Sequence, residues 1–415
     1  MTSEVYEKGK LAKKASYRLS GATTAEKNQA LNAIANQLIE DQEEIRLVNE
    51  KDIRMARGHM SDSMIDRLML DESRIRAMAQ AVTDIAQLDD PIHRVLQTIK
   101  KENGLLIQQK SVPLGVIGMI YEARPNVTID AASLALKTNN CVILRGSKTA
   151  LHSNRALVQT VHRALQSTEL PIDSVLLIED TSREAAKELF HLHTFLDVLI
   201  PRGGKGLIDT VVREASVPVI ETGAGNCHMY IDEFAELEMA KKVVLNAKKQ
   251  RPSVCNSIES LLIHTHWLEK YGGEFLAYME NEGIEMVGDQ YVKDFLPHIE
   301  LATTEDFHSE FLCLKMSVKT VASVQDAIIH IRQYGTKHSE AIITENNSRA
   351  ETFMNHVDAA AVYHNASTRF TDGFELGFGA EIGISTQKMH VRGPMGLKAL
   401  TSSKYFIEGN GQIRE

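Results

Sequence analysis

The chain has 415 residues, 43% hydrophobic and 24% charged, with a formal net charge of −9. That length exceeds one ordinary core and points to two or three domains of a soluble globular protein. The acidic balance argues against a nucleic-acid or anionic-membrane partner, and no run of residues approaches the roughly 20 apolar positions of a membrane span.

The N-terminal stretch MTSEVYEKGKLAKK has no apolar core of the signal-peptide kind. Cys141, Cys227, Cys255 and Cys313 stand apart without a CxxC pair, which suits neither a disulfide framework nor a zinc site. A reducing cytoplasm is the expected compartment.

The first ninety residues read as helices. Ile75, Met78, Ala79, Val82, Ile85 and Ala86 recur at helical spacing with Asp71 as N-cap, and a charged helix around Asp41 to Arg57 can end at Gly58. LLIQQKSV alternates like a hairpin strand and LGVIGMIY follows as a buried one. Helices and strands then alternate through TIDAASLALKT, CVILRG, SNRALVQTVHRALQ, SVLLIED, SREAAKELFHL, LDVLIP, GLIDTVVREA and VPVIETG. Such alternation implies an α/β fold with a parallel, doubly wound sheet. A second series starts near His228 with HMYID and a long helix. Its later strands are SLLIH, GIEMVG, FLCLKMSV, EAIITE and AAAVYHN, with SVQDAIIHIRQYG as a helix between them. The boundary falls in ETGAGNC, and the Gly-rich basic tail after FGAEIGIS is expected to wrap back onto another element.

Several motifs carry chemistry, each with a plainer alternative. Arg145-Gly146-Ser147-Lys148 follows the strand CVIL, where two bases suit a 2′-phosphate; a solvated turn competes. Arg202-Gly203-Gly204 opens a helix with N–H groups and cations for an anion, or is a plain glycine turn. Gly223-x-Gly225 is a weak nucleotide fingerprint because a strand, not a helix, follows it. Asn126, after Pro125, can donate to an oxyanion or can simply cap a helix. Pro252 ends a helix and displays Cys255 beyond Lys248, Lys249 and Arg251, cations that favour a thiolate; an inert buried cysteine competes. His191-x-His193 and His264-x-His266 would share a face on a strand, but no third ligand follows at a familiar spacing, so no metal is expected.

Five stretches together carry a family resemblance. From Val321 to Ile343 the chain shows Val321, Ala327, His330-Ile331, Tyr334-Gly335, His338-Ser339-Glu340 and Ile342. YEARPNVTIDAA, KKQRPSVCNSIESLLIH, NASTRFTDG and AEIGISTQKMHVRGPMGL reinforce it. The chain resembles the gamma-glutamyl phosphate reductase family, the glutamate-5-semialdehyde dehydrogenases of the aldehyde dehydrogenase superfamily, over nearly its whole length.

The resemblance implies two doubly wound α/β domains with a small β oligomerisation element. Residues 1–225 would form the cofactor domain, including a hairpin at about 103–112. Residues 226–385 would form the catalytic domain, and 386–415 would return to the cofactor domain and oligomer interface. It implies NADPH-dependent reduction of L-glutamate 5-phosphate to the 5-semialdehyde with release of phosphate, in proline biosynthesis. Position by position, Cys255 matches the nucleophile and Asn126 the oxyanion donor. Glu310 matches the glutamate on the nicotinamide ribose, and Arg145 a cofactor-contacting base. Lys148 stands where NAD-preferring relatives carry an acid, which favours NADP. Glu221 matches the water-activating acid of hydrolytic relatives, a role a reductive reaction does not need. Arg124, Arg251 and Arg369, with Ser367 and Thr368, are candidates for the substrate's anionic groups. A homo-oligomer is implied, and a contact with glutamate 5-kinase is left open. The competing enzymatic reading is a hydrolytic, NAD-dependent aldehyde dehydrogenase.

Overall fold

The structure is a computed structural model that describes residues 2–414. It divides into two compact units. The first comprises Met1–Thr222, Gly377–Gly383 and Met395–Glu415; the second comprises Gly223–Leu376 and Ile384–Pro394.

Five helices open the first unit, as the apolar spacing requires: α1 (Glu4–Leu19), α2 (Thr24–Glu40), α3 (Gln42–Ala56), α4 (Asp62–Leu68) and α5 (Glu72–Gln87). Asp71 caps α5, its Oδ1 accepting from the Arg74 N–H at 2.8 Å. Just beyond α3, Gly58 turns the chain at φ +83°, a left-handed conformation glycine adopts without strain. An antiparallel hairpin follows, β1 (Val95–Lys100) and β2 (Leu106–Pro113), beginning earlier than the sequence pattern suggests.

A four-stranded parallel sheet is built from β3 (Val116–Tyr121), β4 (Cys141–Arg145), β5 (Val175–Leu177) and β6 (Val198–Arg202), in the order β5-β4-β3-β6. The connecting helices are α6 (Asn126–Lys137), α7 (Leu151–Leu165) and α8 (Arg183–Phe190), and α9 (Lys205–Glu214) follows β6. VPVIETG does not become a fifth strand. It makes a single parallel bridge between Leu199 and Val219, because Pro218 has no N–H to extend the ladder.

The second unit holds seven parallel strands in the order β10-β9-β11-β8-β7-β12-β13. In chain order its elements are β7 (Cys227–Ile231), α10 (Leu237–Lys249), β8 (Ile258–His264), α11 (Thr265–Asn281), β9 (Glu285–Gly288), α12 (Gln290–Phe295) and β10 (Glu300–Leu301). Then come α13 (Thr304–His308), β11 (Lys315–Val321), α14 (Val324–Tyr334), β12 (Ser339–Ile343), α15 (Asn347–His356) and β13 (Ala361–His364). Strands β7, β8 and β12 are buried throughout, as a sheet covered on both faces demands. Alternate side chains feed two cores: Met229, Leu261, Val318 and Ala341 on one face, Tyr230, Leu262 and Ile342 on the other.

Strand β11 starts at Lys315, later than FLCLKMSV suggests. The Phe311 and Leu312 N–H groups donate to the Glu259 carboxylate instead of a ladder, and Leu312 sits at φ +54°. A short pair, β14 (Ile384–Ser385) with β15 (Gly393–Pro394), follows in the second unit. The tail then supplies β16 (Thr401–Glu408), antiparallel to β2 from Thr401–Pro113 to Glu408–Leu106. Neither histidine pair lies on one strand face. His191 caps the end of α8, while His264 closes β8 and His266 lies in the first turn of α11.

Candidate active site

In the second unit α10 ends at Lys249, Pro252 turns the chain, and half-buried Cys255 precedes β8. The cysteine therefore stands at the amino edge of the parallel sheet. Helices arrive there by their C-terminal ends, whose partial negative charge disfavours a thiolate. Arg369 is a cation whose charge bears on Cys255. Burial lowers the basicity of its guanidinium, and the attraction of Cys255 opposes that effect. The segment carrying Arg369 is tied to the cysteine turn. Thr368 Oγ1 donates to the Asn256 carbonyl at 2.6 Å, and Asn256 Nδ2 donates to the Thr371 carbonyl at 3.0 Å. Arg369 Nε donates to Gln250 Oε1 at 2.8 Å, and Ser367 Oγ accepts from the Arg369 N–H at 3.3 Å. Ser367 and Thr368 thus hold the loop that carries Arg369.

Gly225 decides how closely a second segment approaches the cysteine. A Cβ there would lie 1.6 Å from the Cys255 carbonyl oxygen and 2.6 Å from its Cα. Only glycine permits that approach. The Gly225 N–H donates to Glu310 Oε1 at 2.5 Å, so Glu310 is anchored to the segment that backs the cysteine. Buried Cys227 adds a third tie, its Sγ donating to the Cys255 carbonyl at 3.1 Å. These three contacts fix the main chain of the turn.

The lysines before Pro252 do not act on the thiol as the sequence suggests. Lys248 is fully buried and paired with buried Glu259 at 2.7 Å, also donating to the Ile258 carbonyl at 2.9 Å. Burial lowers the Lys248 ammonium and raises the Glu259 carboxyl, each shift opposed by the partner's charge. Lys249 pairs with Glu282 on the surface at 2.7 Å. Arg251 is exposed, and its charge lowers the basicity of Arg369.

In the first unit, Asn126 is the first residue of α6, and no side chain caps that helix. Its Nδ2 instead donates to Asp130 Oδ2, one turn on, at 3.0 Å. Burial pushes the Asp130 carboxyl up to about 6, with the Asn126 hydrogen bond and the Arg202 charge pulling the other way. Nearby, half-buried Arg124 shares the turn before Pro125, where its N–H donates to the Glu122 carbonyl at 2.7 Å. Half-buried Glu221 lies just before the end of this unit's first segment.

At the carboxyl end of β4, Arg145 Nη2 donates to the Thr181 and Ser182 carbonyls at 2.7 and 3.0 Å. Its Nε and the Ser147 Oγ are buried without a hydrogen-bond partner, beside exposed Lys148. Gly146 fits because a Cβ would meet Asn154 Nδ2 at 2.0 Å. The orphaned polar atoms and two cations suit a phosphate or ribose group. The Arg202-Gly203-Gly204 turn is less open than its sequence implies. Glu122 Oε2 already accepts from the Gly204 N–H at 3.0 Å, and Arg202 Nε is buried without a partner.

Residues 2–309 match the family model described as the aldehyde dehydrogenase family. A gamma-glutamyl phosphate reductase of Bacillus subtilis is 61% identical over 414 residues, all of both chains, and one of Oceanobacillus iheyensis is 57% identical at the same coverage. The chain belongs to the aldehyde dehydrogenase family, among its gamma-glutamyl phosphate reductases.

Among solved structures, the gamma-glutamyl phosphate reductase of Thermotoga maritima superposes with a TM-score of 0.95 at 45% identity, covering both chains fully. An acetylating aldehyde dehydrogenase of Geobacillus thermoglucosidasius shares the fold, with a TM-score of 0.72 at 17% identity. Against that family background, sequence reasoning missed three residues. Gly225 was visible only as half of a weak nucleotide fingerprint. Asp130 had a readable signal, its spacing of four from Asn126 within one helix. Cys227 had none, since its partner is a backbone carbonyl brought near by the fold.

Proposed function

We propose that the chain reduces L-glutamate 5-phosphate to L-glutamate 5-semialdehyde with NADPH, releasing phosphate, as a step of proline biosynthesis. The observation that carries this reading is the Cys255 turn, backed by glycine and tied to Arg369, in a chain 61% identical to a gamma-glutamyl phosphate reductase over its full length.

The Cys255 thiolate attacks the acyl carbon of the mixed anhydride, giving a tetrahedral oxyanion to which the Asn126 amide donates. Asp130 holds one Asn126 N–H, leaving the other for the oxyanion. Collapse expels phosphate, a good leaving group that needs no strong general acid, and leaves a thioester on Cys255. NADPH, when bound, supplies the hydride that takes the thioester to the aldehyde level. Loss of the thiolate then frees the semialdehyde. Arg369 and Arg251 receive anionic groups of the substrate, with Arg124 as a further candidate, and Ser367 and Thr368 position the loop.

Arg145, Gly146, Ser147 and Lys148 hold the cofactor's phosphorylated ribose, and Glu310 orients the nicotinamide ribose. At the Arg202-Gly203-Gly204 turn the cofactor must displace Glu122 from the Gly204 N–H. Glu221 has no base to supply, because no water attacks. The cytoplasm is the compartment where such a thiol stays reduced, and the sheet of β1, β2 and β16 is the proposed self-association element. The test is the reverse reaction. Semialdehyde oxidation with NADP⁺ should require inorganic phosphate; oxidation at the same rate without phosphate would favour a hydrolytic dehydrogenase instead.

A further inference from the structure

The carboxyl edge of the seven-stranded sheet carries a second cluster that the reaction above does not use. β7 runs on into Asp232 and Glu233, and β8 ends at His264 with His266 two residues later. At roughly 3.3 Å per residue, seven-residue β8 places this edge about 20 Å from the Cys255 turn. One ligand atom each from Glu233, His264 and His266 lies within 4.8 Å of the other two. They border a cleft of about 400 Å³, which Ser323, Arg349 and Thr352 also line.

The charges around the cleft favour a cation. Arg349 is the one positive side chain among the described lining residues, and it is committed: Nη1 to Asp232 at 3.2 Å and Nη2 to Glu233 Oε1. Two carboxylates thus face one guanidinium. Glu233 keeps Oε2, which lies 3.5 Å from His266 Nδ1. Asp232 is withdrawn, fully buried and accepting from Tyr230 OH at 2.9 Å and Thr344 Oγ1 at 2.8 Å. His264 is buried, and its Nδ1 accepts the His266 N–H at 3.2 Å, a long cap bond that a metal on either ring nitrogen would replace. His266 is largely exposed, so an ion can enter from solvent.

We propose that Glu233, His264 and His266 form a binding site for a divalent transition-metal ion of the zinc, cobalt or nickel type. Two imidazoles and one carboxylate are the donor set such borderline ions select, and three protein ligands leave a fourth position for water. Binding would join the end of β7 to the start of α11 at the edge opposite the nucleophile. The bound ion would stabilise the fold without touching the substrate.

The experiment is a Co²⁺ titration of the purified full chain, followed by its ligand-field absorbance, in the wild type, in Cys255→Ser, and in His266→Ala and Glu233→Gln. One ion should bind in the wild type and in Cys255→Ser, without a thiolate-to-cobalt charge-transfer band. Exposed His266 can be removed without disturbing the core. His266→Ala should weaken binding by more than the roughly 10- to 100-fold that loss of an outer-shell partner costs, and Glu233→Gln should act in the same direction. Binding unchanged in His266→Ala, or lost in Cys255→Ser, overturns the proposal. So does a cleft in which inorganic phosphate, but not Co²⁺, shifts the His266 ring resonances.

Discussion

Replacing Gly225 by alanine tests how the cysteine is placed. The new Cβ would stand 1.6 Å from the Cys255 carbonyl oxygen and 2.3 Å from its carbonyl carbon. Side-chain carbons do not approach other heavy atoms closer than 3.0 Å, so one of the two backbones must retreat by about 1.4 Å. Neither atom is the end of a flexible side chain. The retreat also strains the Gly225–Glu310 and Cys227–Cys255 hydrogen bonds, since both share the displaced segments. A misplacement of about 1 Å costs on the order of 100-fold in rate when reacting groups are pre-aligned. Gly225→Ala should therefore lower kcat for phosphate-dependent NADP⁺ reduction by roughly 100-fold or more. Gly273→Ala is the control, because nothing lies within 4 Å of its Cβ and it sits inside α11. That variant should keep full activity and gain about 0.5–1 kcal/mol of stability. A Gly225→Ala enzyme with wild-type kcat and an unchanged rate of Cys255 alkylation would refute the reasoning.

Other outcomes follow from the same contacts. Lys248→Met leaves buried Glu259 without its partner and should cost about 3–5 kcal/mol in denaturant unfolding; a loss under 1 kcal/mol would mean that the pair is not buried in solution. Arg369→Gln removes a cation whose charge interacts with Cys255 and should slow Cys255 alkylation at pH 7 about tenfold, moving its pH midpoint upward; an unmoved midpoint would assign thiolate stabilisation elsewhere. Asp130 has its folded pKa raised from 3.8 to about 6, so folding favours its protonated form and stability is lost as pH rises through that window. Asp130→Asn should match the wild type below pH 4 and exceed it above pH 6 by up to about 3 kcal/mol. Unfolding curves with no pH-dependent gap between the two would contradict the shift.

Much of the fold was legible because period and punctuation agree locally. The apolar spacing of α5 with its Asp71 cap, and the fully buried runs of β7, β8 and β12, are signals contained within single elements. Where the structure adds to the sequence reading, the partner lies outside the motif itself. The lysines before Cys255 looked like thiolate activators until Glu259, folded against Lys248, neutralised one of them. The Arg202-Gly203-Gly204 turn looked free until Glu122 reached its N–H. The pair His264 and His266 has no third ligand at a familiar sequence spacing, and the fold brings Glu233 near it because β7 and β8 are paired neighbours. Of the two readings of Asn126, the helix cap is not the one the fold adopts: Asn126 is the first residue of α6 and its amide donates to Asp130 one turn on.

The most direct measurement mixes the enzyme with L-glutamate 5-phosphate in the absence of NADPH and follows both phosphate release and protein mass. A burst of one phosphate per chain should accompany a glutamyl adduct that peptide mapping places on Cys255, and Cys255→Ser should show neither. An adduct on another residue, or turnover that survives in Cys255→Ser, would contradict the thioester at the centre of the mechanism.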